Sequence, residues 1–375
     1  MKTLKRILAA TTLLVTLGFA SEANAQVPLE NFFKNPEKAG YQISPDGKYF
    51  SYMAPYENRL NLFVQEVGSD KATRITSETV RDLAGSMWAN GHRILYIKDT
   101  AGDENFQLYG VNVDGTDSKA YTAFPKVRTT IIDPLENIDS LVIIGLNKRN
   151  PQVFDPYRLN LNNGELTQLA ENPGNIQGWM TDHNGKLRVA LAIVDGVNTQ
   201  ILYRETEEQP FRPVLTTNFK ETVSFATFTP DNKMVYALTN IGRDKTALVL
   251  MDPATCEEKE VLYTNDKYDI SGLGYSELKK KLISVSCTGH KGTIRHYFDK
   301  DEEAIRTKLE QKLEGYDINT TSEDKSENIR IIYAGGDRTY GTYYTYNVKE
   351  DKLTKIADLA PWIKEEDMVP MHPIT

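Results

Sequence analysis

The chain has 375 residues, 40% hydrophobic and 26% charged. That composition supplies a packed core and excludes a disordered polypeptide. The net charge of −8 gives no general attraction to nucleic acid or to an anionic membrane surface.

The first 25 residues are read as a secretory signal peptide. Lys2, Lys5 and Arg6 form a basic start, and the fourteen residues Ile7 to Ala20 are apolar. Such a run is too short to cross a bilayer, which takes about 20 residues. Ala23-Asn24-Ala25 matches a small-x-small cleavage pattern, so cleavage is expected between Ala25 and Gln26. Removing Lys2, Lys5, Arg6 and Glu22 takes away +2, leaving −8 − 2 = −10 on the mature chain. The protein is expected to be exported, periplasmic or secreted, and free of the membrane after cleavage.

From there one grammar repeats seven times, at a spacing of about 45 residues, which is the period of a propeller blade. Opening turns stand at Ser44-Pro45-Asp46-Gly47-Lys48, Trp88 to His92, Asp133 to Asn137, Thr181 to Gly185, Thr229-Pro230-Asp231-Asn232-Lys233, Tyr275 to Lys279 and Thr321 to Lys325. Each leads into a short apolar run, such as Tyr49 to Met53, Arg93 to Ile97, Ser140 to Ile144 or Met234 to Leu238. A sheet with one wet face would alternate strictly, so these runs predict strands covered on both faces. Outer hairpins fall at Gly68, Asp114-Gly115, Asn163-Gly164, Asp252-Pro253 and Glu350-Asp351. Their Asp-Gly and Asn-Gly pairs predict positive φ at both central positions. The fourth repeat has Glu207-Glu208-Gln209-Pro210 instead. In the sixth, residues 301–315 carry Ile305, Leu309 and Leu313 every four positions, which predicts a short helical insertion ended by Gly315.

The residues that carry chemistry are sparse. Gly274-Tyr275-Ser276-Glu277-Leu278 misses the Gly-x-Ser-x-Gly elbow at its last position, so Ser276 is read as a turn residue and no catalytic residue is assigned. Cys287, His290 and His296 lack a fourth ligand and match no standard zinc spacing, so no metal is expected. Cys256 and Cys287 fall in distant parts of neighbouring repeats and are read as free thiols. Gly335-Gly336 lacks the Lys-Ser/Thr of a phosphate loop, so no cofactor is expected. The carboxylates Asp103 and Glu104 sit in a polar, glycine-containing hairpin, where they are candidates for acid–base work or for holding a substrate amine.

Phe33-Lys34-Asn35-Pro36, the Ile43 to Lys48 turn, Asp99 to Leu108 and above all Asn147 to Arg158 (NKRNPQVFDPYR) resemble the N-terminal propeller of bacterial prolyl oligopeptidase-family serine peptidases, of the acylaminoacyl peptidase and dipeptidyl aminopeptidase branch. The resemblance covers about residues 28–370. It implies a propeller that caps an α/β-hydrolase domain and admits only short peptides. In that family the catalytic Ser, Asp and His lie beyond the propeller, so no position here takes those roles. The chain ends at Met371 to Thr375, which resembles the approach to the hydrolase domain, so a truncated chain inactive on its own is expected. A separate branch of the family holds the substrate amine with a glutamate pair, and no matching motif is found here.

The expectation is an all-β, seven-bladed propeller of four-stranded antiparallel blades over residues 41–360. Residues 26–40 and 361–375 form its arms. Each repeat contains its own strands, so the ring closes by side-chain packing without strand exchange. The expected partners are short peptides or a hydrolase domain, not nucleic acid. The alternatives are a free-standing propeller that binds a peptide or protein, and a propeller enzyme using residues around its axis.

Overall fold

A computed structural model describes residues 27–290, 292–372 and 374. The leader and its Ala25–Gln26 junction lie outside them. Seven antiparallel sheets follow one another between Ala39 and Asp358, and in each the strands pair in sequence order. Their spans are 39–74, 85–120, 129–168, 176–217, 223–263, 270–297 and 317–358. Six sheets have four strands; the sixth has three, followed by the helix Lys300–Lys312 in the place of an outer strand.

Local chemistry explains the repeated turn. Each opening turn joins the first strand of a blade to the second. In blade I the Ser44 hydroxyl accepts the Lys48 and Tyr49 N–H groups (3.0 and 2.9 Å) and donates to Asp46 (2.7 Å). Gly47 supplies the left-handed residue at φ 73°. Blade V repeats this with Thr229, whose hydroxyl accepts the Met234 N–H (3.1 Å) and donates to Asp231 (2.6 Å), while Asn232 takes φ 58°. In blade VII Asp324 accepts the Asn328 and Ile329 N–H groups (both 2.8 Å). A short polar side chain at the turn's start thus satisfies the backbone that the tight reversal leaves unpaired.

The apolar runs form the second strand of every blade. Val142, Ile143 and Ile144 are fully buried, as are Ile94, Leu187, Val235, Ile331 and Ile332. Burial of each such side chain stabilises the fold by about 1.5–3 kcal/mol. Clusters join blades I and II around Leu62 and Ile94, II and III around Leu95 and Val142, IV and V around Tyr203 and Val235, and V and VI around Leu248 and Val285. Blades III and IV meet through Arg158, whose guanidinium donates to Glu207 (2.7 Å) and to the Gly185 carbonyl (2.8 Å).

The ring closes without strand exchange. Tyr41 and Tyr52 stack at 4.8 Å, Tyr343 lies 5.4 Å from Tyr41, and Ile331 packs against them. Two polar bonds add to the seam: Ile43 N–H to Ser322 Oγ (3.1 Å) and Lys325 N–H to Pro45 O (2.9 Å).

The helical insertion lies close to its expected span. Asp299 caps its N-terminus by accepting from Asp301 and Glu302 N–H. Its Leu309 and Leu313 join Ile318, Ile332 and Tyr346 in one cluster, with Ile305 packed alongside, so the helix wedges onto blade VII. The outer hairpins differ from expectation in one respect. In the Asp-Gly and Asn-Gly pairs only the glycines, Gly115 and Gly164, take positive φ (both 82°), while Asp114 and Asn163 do not. The reason is local: the Asp114 and Asn163 side chains each accept the N–H two residues on (both 2.9 Å), which holds a turn with a single left-handed residue.

Candidate functional site

First strands of neighbouring blades touch at the III–IV and VII–I junctions, so these strands line the axis. Their partial burial, as along Gly85–Asn90, fits a position facing that axis. The ring therefore has two ends. The opening turns gather at one; the hairpins between second and third strands, the inter-blade links and both chain arms gather at the other.

The opening-turn end is bridged across the ring. The turn between Asp133 and Leu141 in blade III is the longest of the seven and reaches blades VI and VII on the opposite side. Asn137 Nδ2 donates to Glu277 Oε2 (2.9 Å), and Lys325 Nζ pairs with Asp139 Oδ1 (2.7 Å). Glu277 also faces His183 of blade IV, at 3.3 Å from Nδ1. The hydrogen bond to Glu277 holds the His183 pKa above its ordinary value, helped by the Phe228 carbonyl and opposed by burial. Glu277 is correspondingly held low, first by His183.

The opposite end carries most of the strongly exposed apolar side chains. Phe33 (78% exposed) belongs to the leading arm, in the helix Leu29–Phe33, and Val369 and Met371 to the trailing one. Phe219 (74% exposed) and Val80 sit on inter-blade links, and Val197 on a hairpin between second and third strands. The arms are tied together and to blade VII. Trp362 Nε1 donates to Asn31 O (2.9 Å), Lys34 Nζ lies 4.2 Å over the Trp362 ring, and Tyr340 OH donates to Phe32 O (2.9 Å).

The Asn147 to Arg158 segment forms the second-to-third-strand hairpin of blade III at this end, and its geometry is that of a bracket. Arg149 grips the fully buried Asp155 with Nε and Nη2 (2.9 and 3.0 Å) and donates to Asn172 O (2.7 Å). Asp155 also accepts the Asn172 N–H (2.7 Å), and Asn172 Nδ2 reaches Ile176 O of the next blade (2.9 Å). Asn147 spans the hairpin from Arg128 N–H (2.6 Å) to Pro151 O (3.0 Å). These residue types serve architecture: they fix the hairpin to the link between blades III and IV.

Asp103 and Glu104 lie on the corresponding hairpin of blade II, at the same end and exposed to solvent. Asp103 accepts the Thr100 and Asn105 N–H groups (3.2 and 3.1 Å) and the Asn105 side chain (3.0 Å), which holds its carboxyl below the usual range. Glu104 sits at φ 55°, and its N–H donates to buried Asp99 (3.2 Å). The structure thus brings the pair to the apolar end, with Asp103 engaged in its own loop. Ser276 accepts the Lys279 N–H (2.9 Å) and donates to the Glu327 carboxylate, so it locks a turn. Cys256 is half-buried and Cys287 buried, both free. Among the described residues no three His, Cys, Asp or Glu side chains converge as metal ligands, and no helix is long and apolar enough to cross a membrane. Sequence reasoning missed the cross-ring contacts of Asn137, Asp139, His183, Glu277 and Lys325; the one available signal was the extra length of the blade III turn.

Fold and site together define a closed propeller with one end bridged by side chains and the other bearing exposed apolar side chains and both arms. No family model matches the sequence. Over 354 residues the chain is 28% identical to dipeptidyl aminopeptidase BIII of Pseudoxanthomonas mexicana, covering 91% of this chain and 50% of that protein. It is 26% identical over 352 residues to dipeptidyl peptidase family member 6 of Caenorhabditis elegans, covering 88% of this chain and 47% of that one. By fold it is similar to a prolyl endopeptidase (TM-score 0.60, 12% identity, 93% of this chain and 55% of that chain). Prolyl oligopeptidase B from Galerina marginata is similar to the same degree (TM-score 0.60, 11% identity, 90% and 53%). The solved structures show the fold; the sequence matches make the chain a homologue of dipeptidyl aminopeptidases. It spans about half the length of the curated relatives it matches, consistent with the N-terminal propeller domain of such a peptidase.

Proposed function

We propose that the protein is the non-catalytic, access-limiting propeller of an exported prolyl oligopeptidase-family serine peptidase that acts on short peptides. The supporting observation is the asymmetry of the ring. Most of the strongly exposed apolar side chains, both chain arms and the most family-like hairpin share one end, while Leu278 is exposed at the other; exposed apolar surface of this kind marks an interaction site. A hydrolase domain joined in cis would cover that end. The bridged end opposite would then hold the ring rigid and keep folded proteins out, leaving peptides as substrates. By itself the chain hydrolyses no peptide.

The test has two arms. The reading frame beyond codon 375 is sequenced for a Gly-x-Ser-x-Gly pattern, and hydrogen exchange of residues 194–198 and 218–222 is compared with and without the domain it encodes. Protection of both segments by the joined domain supports the cap. A frame without hydrolase character, or specific labelling of this chain by a serine-reactive phosphonate, overturns it; the first outcome favours a free-standing binding propeller. Export is tested separately: the mature N-terminus is expected at Gln26, found in the periplasmic or secreted fraction.

A further inference from the structure

We infer that the gap between blades VI and VII is a binding site for a small organic anion. Elsewhere apolar side chains fill the space between most neighbouring blades. At this junction blade VI presents Gly274, Ser284 and Ser286, too small to reach across. The helix Lys300–Lys312 seals the outer side with Ile305 and Leu309 but does not fill the space behind. A cavity of about 350 Å³ remains. That volume falls in the range of small-molecule pockets, and its hydroxyl lining suits a polar guest.

The charges in the cavity are uneven. Its lining includes three arginines, Arg295, Arg306 and Arg330, and one carboxylate, Glu302. Glu302 is already saturated: Arg330 grips both its oxygens (2.7 and 3.0 Å) and Lys279 adds a third contact (2.8 Å). Arg306 is held by Glu310 (2.7 Å) and the Ile318 carbonyl (2.6 Å). Arg295 differs. Its described hydrogen bond goes to Asn319 Oδ1 (3.1 Å), and among the described residues it has no ion-pair partner. Burial and the like charge of Arg306 both work against its guanidinium, and Tyr297, Glu310 and Asp317 offset this only in part. A half-buried guanidinium with open donors favours a planar oxyanion, which it binds through paired N–H groups. A carboxylate or phosphate would sit against Arg295, with the hydroxyl-bearing remainder of the ligand facing Ser284, Ser286 and Tyr297.

The site is independent of the peptidase reading, because it lies between two blades and uses no residue of the apolar end. Isothermal titration calorimetry of the whole chain with citrate, glutamate and inorganic phosphate tests it. Saturable binding of at least one is expected, weakened ~tenfold or more in Arg295→Gln. Ser286→Leu, which fills the cavity, should abolish binding without lowering the thermal midpoint. Binding of citrate or glutamate alone identifies a carboxylate ligand; binding of phosphate alone identifies a phosphate one. No saturable heat with any of the three, or binding unchanged in both variants, overturns the inference.

Discussion

His183 Nδ1 lies 3.3 Å from Glu277 Oε1, linking blade IV to blade VI past the whole of blade V. The other ring nitrogen, Nε2, is 2.9 Å from the Phe228 carbonyl, which can only accept. Nε2 therefore donates, and a neutral imidazole would turn a lone pair toward the Glu277 carboxylate. The geometry selects the doubly donating imidazolium, in agreement with the raised pKa.

That choice makes the cross-ring link pH-dependent. The folded-state pKa of His183 lies above its ordinary 6.5, so the link contributes fully below 6.5 and is lost as pH rises through the folded value. His183→Gln is expected to lower stability at pH 6 and to differ little from the parent at pH 9. Glu277 is partly exposed, so a coupling of roughly 0.5–1 kcal/mol is expected from a double-mutant cycle with Glu277→Gln. Urea denaturation at the two pH values reads both. A gap that widens with pH contradicts the link.

Breaking the Arg330–Glu302 pair should cost more. Both side chains are about nine-tenths buried, and removing Glu302 takes away both of its short contacts to Arg330 and leaves that guanidinium only the longer pairing with Glu323 (3.3 Å). Glu302→Ala is expected to destabilise by about 3–5 kcal/mol, read as a lower denaturant midpoint at unchanged slope.

Asp155 is fully buried and receives both Arg149 and the Asn172 N–H. Asp155→Ala is expected to cost about 2–4 kcal/mol. Limited proteolysis should then cut near residues 147–156, where the parent resists. Intact resistance at that hairpin would show that the bracket holds nothing.

Burial pushes the Cys256 thiol up to about 11 and raises Cys287 as well. Neither is expected to react quickly with a disulfide reagent at pH 8 in the native protein. Both should react once guanidinium unfolds it, with no prior reduction needed.

The apolar end should behave as an open interface. Replacing Val197 and Phe219 by Asp is expected to reduce binding of a hydrophobic dye and leave the thermal midpoint within a degree or two, since both side chains are solvent-exposed. A large drop in midpoint would mean that these residues pack within the fold.

Much of the architecture was legible because it is local. The Ser44 and Thr229 turns satisfy their own backbone within five residues, and the apolar second strands announce two covered faces whatever their neighbours are. The helix in the sixth repeat was readable from Ile305, Leu309 and Leu313, because their spacing is intrinsic to a helix. Asp103 and Glu104 could be assigned to a hairpin but not to an end of the ring. The Asn147 to Arg158 segment could be recognised by likeness, while its function as a bracket depends on Asn172 and Ile176 of the link that follows.

The amino-acid sequence by itself determined the blade: its turns, its buried strands and its period, all set by interactions within about 45 residues. Tertiary structure alone decided which turns meet across the ring. Asn137 and Glu277 are 140 residues apart, and Lys325 and Asp139 are 186 apart. Such contacts follow from the curvature that accumulates over seven stacked sheets, and no local pattern of residues encodes that sum. The same accumulation leaves the gap beside Arg295, where a helix replaces a strand and the two faces no longer fill the space between them.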